Sequence, residues 1–248
     1  MPPAPLVNWP LEPAGDRARG PVQHHTPEPG AAFGAPSIAV HAQALGAPLT
    51  TTQSEQLERF GNLLLRWNRV HNLTAITGTE EVLTHHLLDS LSLAGELPPA
   101  PPLKVLDAGA GAGLPGLPLA IALPGHHFTL VDAVSKKCAF MTQARLELGL
   151  VNVEVLHARL EQLQGRYFDV IVSRALGSLA AFVSLTRHLL APSGRWVAMK
   201  GRLPRQELAQ LPADVVASRT VTLRVPLLEE ERHLVVLRPV ASRSEQSS

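Results

Sequence analysis

Between residues 103 and 199 the chain alternates five short runs of β-type residues with segments that read as helices. The runs are Leu103–Ala108, His127–Asp132, Asn152–Leu156, Phe168–Ser173 and Arg195–Met199; helices are expected over Leu114–Leu123, Ser135–Leu148, Leu160–Leu163 and Ser178–Leu190. Strands joined by crossover helices assemble into a mostly parallel sheet with helices on both faces. The end of the chain breaks this rhythm. Arg219–Val225 and His233–Arg238 also read as strands, but only a short acidic turn, Glu229–Glu231, is offered to join them. With no helix between them they should pair as an antiparallel hairpin. The expectation is an α/β, Rossmann-like sheet of seven strands, mostly parallel, spanning residues 103–240.

Helices precede this sheet. Leu57, Phe60, Leu64 and Trp67 recur at helical spacing with Arg59, Asn62, Arg66 and Arg69 between them, which makes one apolar stripe. A second helix is expected to begin at Thr79 as its cap, with Glu80 and Glu81 in the first turn and Leu83, Leu87 and Leu91 on its apolar face. Residues 49–96 therefore read as a helical subdomain, and the prolines of residues 97–102 as a stiff linker. Residues 1–48 hold ten of the 22 prolines, ten alanines and only five charged side chains, with no apolar periodicity. Such a stretch is expected to be a disordered extension, and residues 241–248 a disordered tail.

Composition excludes several classes. The single cysteine, Cys138, rules out a disulfide scaffold or a Cys-based zinc cluster and suggests a reducing compartment. Adjacent histidines (His24-His25, His85-His86, His126-His127) point in different directions on a helix or strand, so no metal is expected. No apolar run approaches the ~18 residues of a membrane span, and the start MPPAPLVNWP lacks the regions of a signal peptide. A soluble, cytoplasmic, monomeric protein is the expectation. The net charge of +1 hides an asymmetry: residues 136–205 hold eleven basic and four acidic side chains, residues 49–135 four basic and eight acidic. A basic face of that kind suits phosphate contacts, although solvated arginines on helices would give the same count.

The strongest local signal is the segment Asp107–Gly116, DAGAGAGLPG, which follows a strand and opens a helix. Glycines let backbone turn sharply and approach a ligand, and open parallel sheets bind ligands at the carboxyl ends of their strands. Gly111-Ala-Gly113-Leu-Pro-Gly116 also satisfies the dinucleotide fingerprint, and Asp132, at the end of the next strand, suits the ribose of either kind of adenosine cofactor. Leu160-Glu161, after the third strand, could frame an adenine. Arg174, after the fourth, lies over the expected reaction centre or in a rim ion pair, and Lys200 ends the fifth.

In order, the runs Asn72–Ile76 (NLTAI), His86–Leu91 (HLLDSL), Asp107–Gly116, Ser173-Arg174-Ala175, Lys200-Gly201 and Glu231–Val236 (ERHLVV) resemble the bacterial RsmG (GidB) family over residues 52–240. That resemblance implies a Rossmann-like class I fold that binds S-adenosyl-L-methionine (AdoMet) and methylates N7 of guanine 527 in 16S rRNA, as naked RNA or in the 30S subunit. Carried over residue by residue, the cofactor contacts would be Asp107, Gly109, Gly111, Gly113, Leu114, Asp132, Leu160, Glu161 and Arg174. His86, Asp89, Arg174 and Lys200 would face the substrate, with Arg174 and Lys200 positioning phosphate or base oxygens. This chain departs from the family's usual residues at His85, Ala108 and Ser135–Lys137. Two other functions share parts of the pattern. An oxidoreductase using a nicotinamide cofactor would need a Tyr-Lys or His pair, and the only tyrosine is Tyr167. A non-catalytic RNA-binding assembly factor could keep the fold without the reaction.

Overall fold

A computed structural model describes residues 34–240. Two expectations, the extension over residues 1–33 and the tail 241–248, lie outside them. The rest of the expected extension is corrected by helix α1 (Ala35–Ala44). Ile38 and Ala42, one helical turn apart, are fully buried, and Ala35 N donates to Glu58 Oε2 at 3.0 Å. Pro36 stands in the first turn, where its missing N–H is harmless. The three buried residues of α1, Ala35, Ile38 and Ala42, include only one large side chain and so leave no clear stripe, yet burying Ile38 alone is worth about 1.5–3 kcal/mol.

Helix α2 (Thr51–His71) carries the expected stripe, with Leu57, Phe60 and Leu64 fully buried and Trp67 half-buried. Thr50 caps it. Gln53 N donates to Thr50 Oγ1, and Gln53 Oε1 accepts from Thr50 N at 2.8 Å. The amide of Gln53 also donates to Ile121 O and Ala122 O, the exposed end of a helix in the sheet domain. The next helix begins where expected, but its cap is Gly78 rather than Thr79. It runs as α3 (Thr79–Val82), a π-helical turn (Leu83–Leu88) and α4 (Asp89–Leu91). Nothing in the sequence pattern announced the π turn.

The sheet follows: β1 (Lys104–Ala108), α5 (Gly116–Ala122), β2 (His127–Asp132), α6 (Ser135–Glu147), β3 (Val153–His157), a 3₁₀ turn (Leu160–Gln162) and β4 (Phe168–Ser173). Then come α7 (Leu179–Thr186), a 3₁₀ turn (Arg187–Leu189), β5 (Leu190–Lys200), α8 (Arg205–Ala209), β6 (Val215–Leu223) and β7 (Arg232–Pro239). Strand order is β3-β2-β1-β4-β5-β7-β6, and β7 alone runs antiparallel to its neighbours. The expected seven-stranded α/β architecture with a terminal hairpin is the one observed. Most boundary differences are small. Three are larger: β5 starts at Leu190 rather than Arg195, β6 at Val215 rather than Arg219, and the five-residue α8 was not anticipated. No side chain of α8 is buried, so it has no apolar pattern to read.

Both sheet faces are covered. Val105, Phe128, Leu130, Val170 and Val172 pack on one side against α2, α5 and α6; Leu106, Val131, Ile171 and Trp196 pack on the other against α7. This alternation is the period-2 consequence of a strand buried on both faces. The chain runs outward through β1, β2 and β3, then crosses back to β4 beside β1. The carboxyl ends of β1 and β4 thus flank the crevice where ligands bind in sheets of this kind.

Candidate functional site

The glycine segment turns from β1 into α5 with Gly109, Gly111 and Gly113 at φ of 70°, 61° and 76°, a region that L side chains enter at a cost of about 1–2 kcal/mol. At Gly113 an added Cβ would also fall 2.3 Å from Leu117 Cδ1. Two carboxylates fasten the turn. Asp107 Oδ2 accepts from Gly116 N at 2.8 Å, and Asp132 Oδ2 accepts from Gly111 N at 2.9 Å. Asp132 Oδ1 accepts in addition from Val134 N at 2.8 Å, so this acid orders the ends of both strands.

Around this loop lies a cavity of about 490 Å³. Of the expected cofactor residues, Gly109, Gly111, Leu114, Asp132, Leu160, Glu161 and Arg174 line it. Asp107 and Gly113 do not; Asp107 lies beneath the loop, and Gly113 shapes its turn at φ 76°. Asp107 is fully buried, its Oδ1 has no partner, and burial pushes its carboxyl up to about 7 against the Gly116 hydrogen bond. Leu73 and Thr74, from the link between α2 and α3, also line the cavity. In the sequence they stand within the Asn72–Ile76 run, with nothing in the pattern to mark them as cavity residues.

A second cavity, of about 330 Å³, adjoins the first and shares Arg174 with it. His86, Asp89 and Lys200 line it as expected, together with His85 and Arg232. Arg174 Nη1 donates to His85 O at 2.9 Å and lies 3.7 Å from Asp89 Oδ2. The π turn presents that carbonyl: widened turns of this kind recur at functional sites because they re-aim backbone groups. Arg232 Nε donates to the other Asp89 oxygen at 3.2 Å. Burial pushes the Asp89 carboxyl up, opposed by Arg174 and Arg232; burial pulls the Arg174 guanidinium down, opposed by Asp89 and Asp107. Two guanidiniums on one carboxylate leave a net positive wall.

His86 is an uncharged part of that wall. Its Nδ1 lies 3.0 Å from His85 O and 3.4 Å from Arg174 Nη1; the shorter contact, to a carbonyl that can only accept, assigns the proton to Nδ1 and leaves Nε2 to accept from Thr74 Oγ1 at 3.0 Å. Desolvation, joined by Arg174, lowers its pKa to about 4. Between pH 6.5 and 4 the unfolded chain binds this proton and the folded chain does not, so the His86 contribution to stability is lost as pH falls. The loss should total about 3 kcal/mol. Asp107 works in the opposite sense, holding a proton in the folded state up to about pH 7. Comparing denaturant unfolding of the wild type and His86→Gln at pH 7 and 4.5 isolates the histidine: the variant should lack the acid-side loss.

Lys200 does not project freely into the second cavity. Its Nζ donates to Gly177 O and to Glu207 Oε2, both at 2.8 Å. Cys138 is a buried core residue, its Sγ donating to Asp132 O at 3.3 Å. Tyr167, at the amino end of β4, is exposed and shares a separate cavity of about 360 Å³ with Lys104 at the opposite edge of the sheet from the glycine loop. The Tyr-Lys pair a nicotinamide reaction requires is therefore away from the cavity. Among the described residues, no helix is long and apolar enough to cross a membrane.

The comparisons with known proteins agree with this geometry. A family model described as GidB, rRNA small subunit methyltransferase G, matches residues 53–235. A protein called ribosomal RNA small subunit methyltransferase G from Laribacter hongkongensis is 50% identical over 194 residues, 78% of this chain and 92% of that protein. One of the same name from Methylibium petroleiphilum is 48% identical over 197 residues, 78% and 89% of the two chains. Among solved structures, a SAM-dependent methyltransferase from Thiobacillus denitrificans in complex with S-adenosyl-L-homocysteine superposes with a TM-score of 0.51 at 14% identity, covering 72% of this chain and 98% of that one. Another from Aquifex aeolicus gives 0.51 at 17%, covering 67% and 96%. At these identities the solved structures speak for the fold alone.

Proposed function

This chain belongs to the rRNA small subunit methyltransferase G (GidB) family, and from that premise we propose that it transfers the methyl group of AdoMet to N7 of a guanine in 16S rRNA. The observation that carries the reading is the pair of adjoining cavities at the carboxyl edge of the sheet, joined at Arg174. The first takes AdoMet and the second takes the guanine.

The residues present fit the cofactor. A Cβ added at Gly111 would meet no atom within 4 Å, so the space over the loop is open to a ligand. Asp132, with one backbone bond to each oxygen, keeps acceptor capacity for ribose hydroxyls. Leu160 and Glu161 line the same cavity beyond β3, beside the place an adenine would take. Asp107, buried beneath the loop with its Oδ1 unpartnered, holds the loop through Gly116 N rather than touching the ligand. AdoMet supplies an electrophilic methyl group.

Little further chemistry is needed from the protein. Guanine N7 has an exposed lone pair and no proton to lose. A neutral, hydrogen-bonded His86 is compatible with that, since no general base is required. Arg174, held by His85 O and Asp89, orients the base by donating to its acceptor edge, and the rate gain comes from alignment. The RNA backbone meets the rim, where Lys136, Arg159, Arg202 and Arg205 are exposed beyond the ends of β2, β3 and β5. The reaction belongs to the cytoplasm, with naked 16S rRNA or the 30S subunit as partner. Incubation with labelled AdoMet and either RNA form tests the proposal. AdoMet binding without transfer to any RNA would instead indicate a non-catalytic RNA-binding role.

A further inference from the structure

Lys200 was expected to meet a phosphate or a base oxygen. Its surroundings suggest a different task. Lys200 ends β5, and its side chain is only 18% exposed. One of its N–H groups goes to Gly177 O and another to Glu207 Oε2. That same Glu207 oxygen accepts from Leu179 N, the first residue of α7, at 2.7 Å. A single carboxylate on α8 thus ties the end of β5 to the start of α7, and Lys200 ties both to Gly177.

Residues 174–178, between β4 and α7, form the segment enclosed by this knot. They include Arg174, Ala175 and Leu176, which line the first cavity. Gly177 turns the segment at φ 76°. Leu176 Cδ1 lies 2.9 Å from where a Cβ on Gly109 would be, so the segment packs directly over the glycine loop. Where this segment sits decides both the wall of the cofactor cavity and the position from which Arg174 departs.

We infer that Glu207 and Lys200 are positioning residues: their ion pair clamps the 174–178 segment and so sets Arg174 and the cofactor wall, and Lys200 is not a phosphate ligand. The inference deepens the proposed methyl transfer and rests on it for the catalytic readout only. Charge-assisted bonds of this geometry are among the stronger ones, and here both partners are more than half covered.

The test compares Lys200→Met, Glu207→Ala, Glu207→Gln and the double variant Lys200→Met/Glu207→Ala. It reads AdoMet affinity by calorimetry, kcat and KM with 30S subunits, and the salt dependence of RNA binding. The clamp predicts that each single removal lowers kcat roughly 10- to 100-fold and weakens AdoMet several-fold. RNA affinity and its salt slope should stay unchanged. The double variant should be no worse than the worse single, because the residues act as a unit. Glu207→Gln keeps an acceptor for Leu179 N and Lys200, and should retain AdoMet affinity within a few-fold even if Glu207→Ala folds poorly. A phosphate role predicts the opposite: Lys200→Met would reduce the salt slope by about one while Glu207→Ala left kcat intact. That result, or unchanged AdoMet affinity in all variants, overturns the clamp. A wild type that binds AdoMet but methylates no RNA would sink the functional proposal and leave the clamp to be judged on AdoMet affinity.

Discussion

Arg174→Ala should reduce methyl transfer to rRNA by about 100-fold or more, the usual effect of removing one oriented donor from a reaction centre. The protein should still fold. Arg174 donates to a backbone carbonyl and shares Asp89 with Arg232, so its loss leaves Asp89 paired through Oδ1. Removing Arg232 as well would strand a buried carboxylate, a change that typically costs about 3–5 kcal/mol. Arg174→Lys should not rescue activity, because an ammonium cannot reach His85 O and Asp89 together while presenting a planar donor edge. Single-turnover transfer with saturating AdoMet, alongside thermal unfolding, separates the outcomes. Full activity in Arg174→Ala would remove the residue that joins the two cavities from the account.

The second large effect concerns the loop itself. Gly116→Ala should lower stability by several kcal/mol and weaken AdoMet binding by about 10- to 100-fold. A Cβ there would sit 2.7 Å from Asp107 Oδ2 and 3.0 Å from Leu130 Cδ1. Neither neighbour can retreat, since Asp107 and Leu130 are both fully buried. Overpacking of this sort costs about 1–3 kcal/mol. Displacing Asp107 also breaks its bond to Gly116 N, and a buried donor left unpaired costs about 1–3 kcal/mol. Gly125→Ala is the matched control, because a Cβ at that position meets nothing within 4 Å. Its effect should stay within about 0.5 kcal/mol. Denaturant unfolding and calorimetric titration of both variants check the contrast.

What could be read from the sequence follows a physical rule. The strands were legible because burial on both faces leaves continuous apolar runs, and the glycine segment because its constraints are local. The terminal hairpin was legible from the absence of a helical segment between two strands. Most residues that line the two cavities were singled out, since strand ends and short motifs mark them. What escaped was whatever depends on partners far apart in the chain. Glu207 stands on a helix with no buried side chain. Arg232 matters only because β7 brings it to Asp89, 143 residues away. The π turn holds adjacent histidines whose partners, Thr74, Arg174 and Glu230, lie elsewhere in the chain. Helix α1 lacks a clear stripe because Ile38 is the one large side chain among its three buried residues. Lys200 was singled out, but an isolated lysine at a strand end carries no sign of the Glu207 carboxylate that meets it.

The central claim is that this site moves a methyl group from AdoMet to guanine N7 in 16S rRNA. The most direct measurement supplies labelled AdoMet with naked 16S rRNA and with 30S subunits, then digests the RNA and maps the labelled nucleoside. The account predicts a single labelled position in 16S rRNA, recovered as 7-methylguanosine. Label on another base or on an exocyclic amine, or no transfer to either form of the RNA by a protein that binds AdoMet, would contradict it.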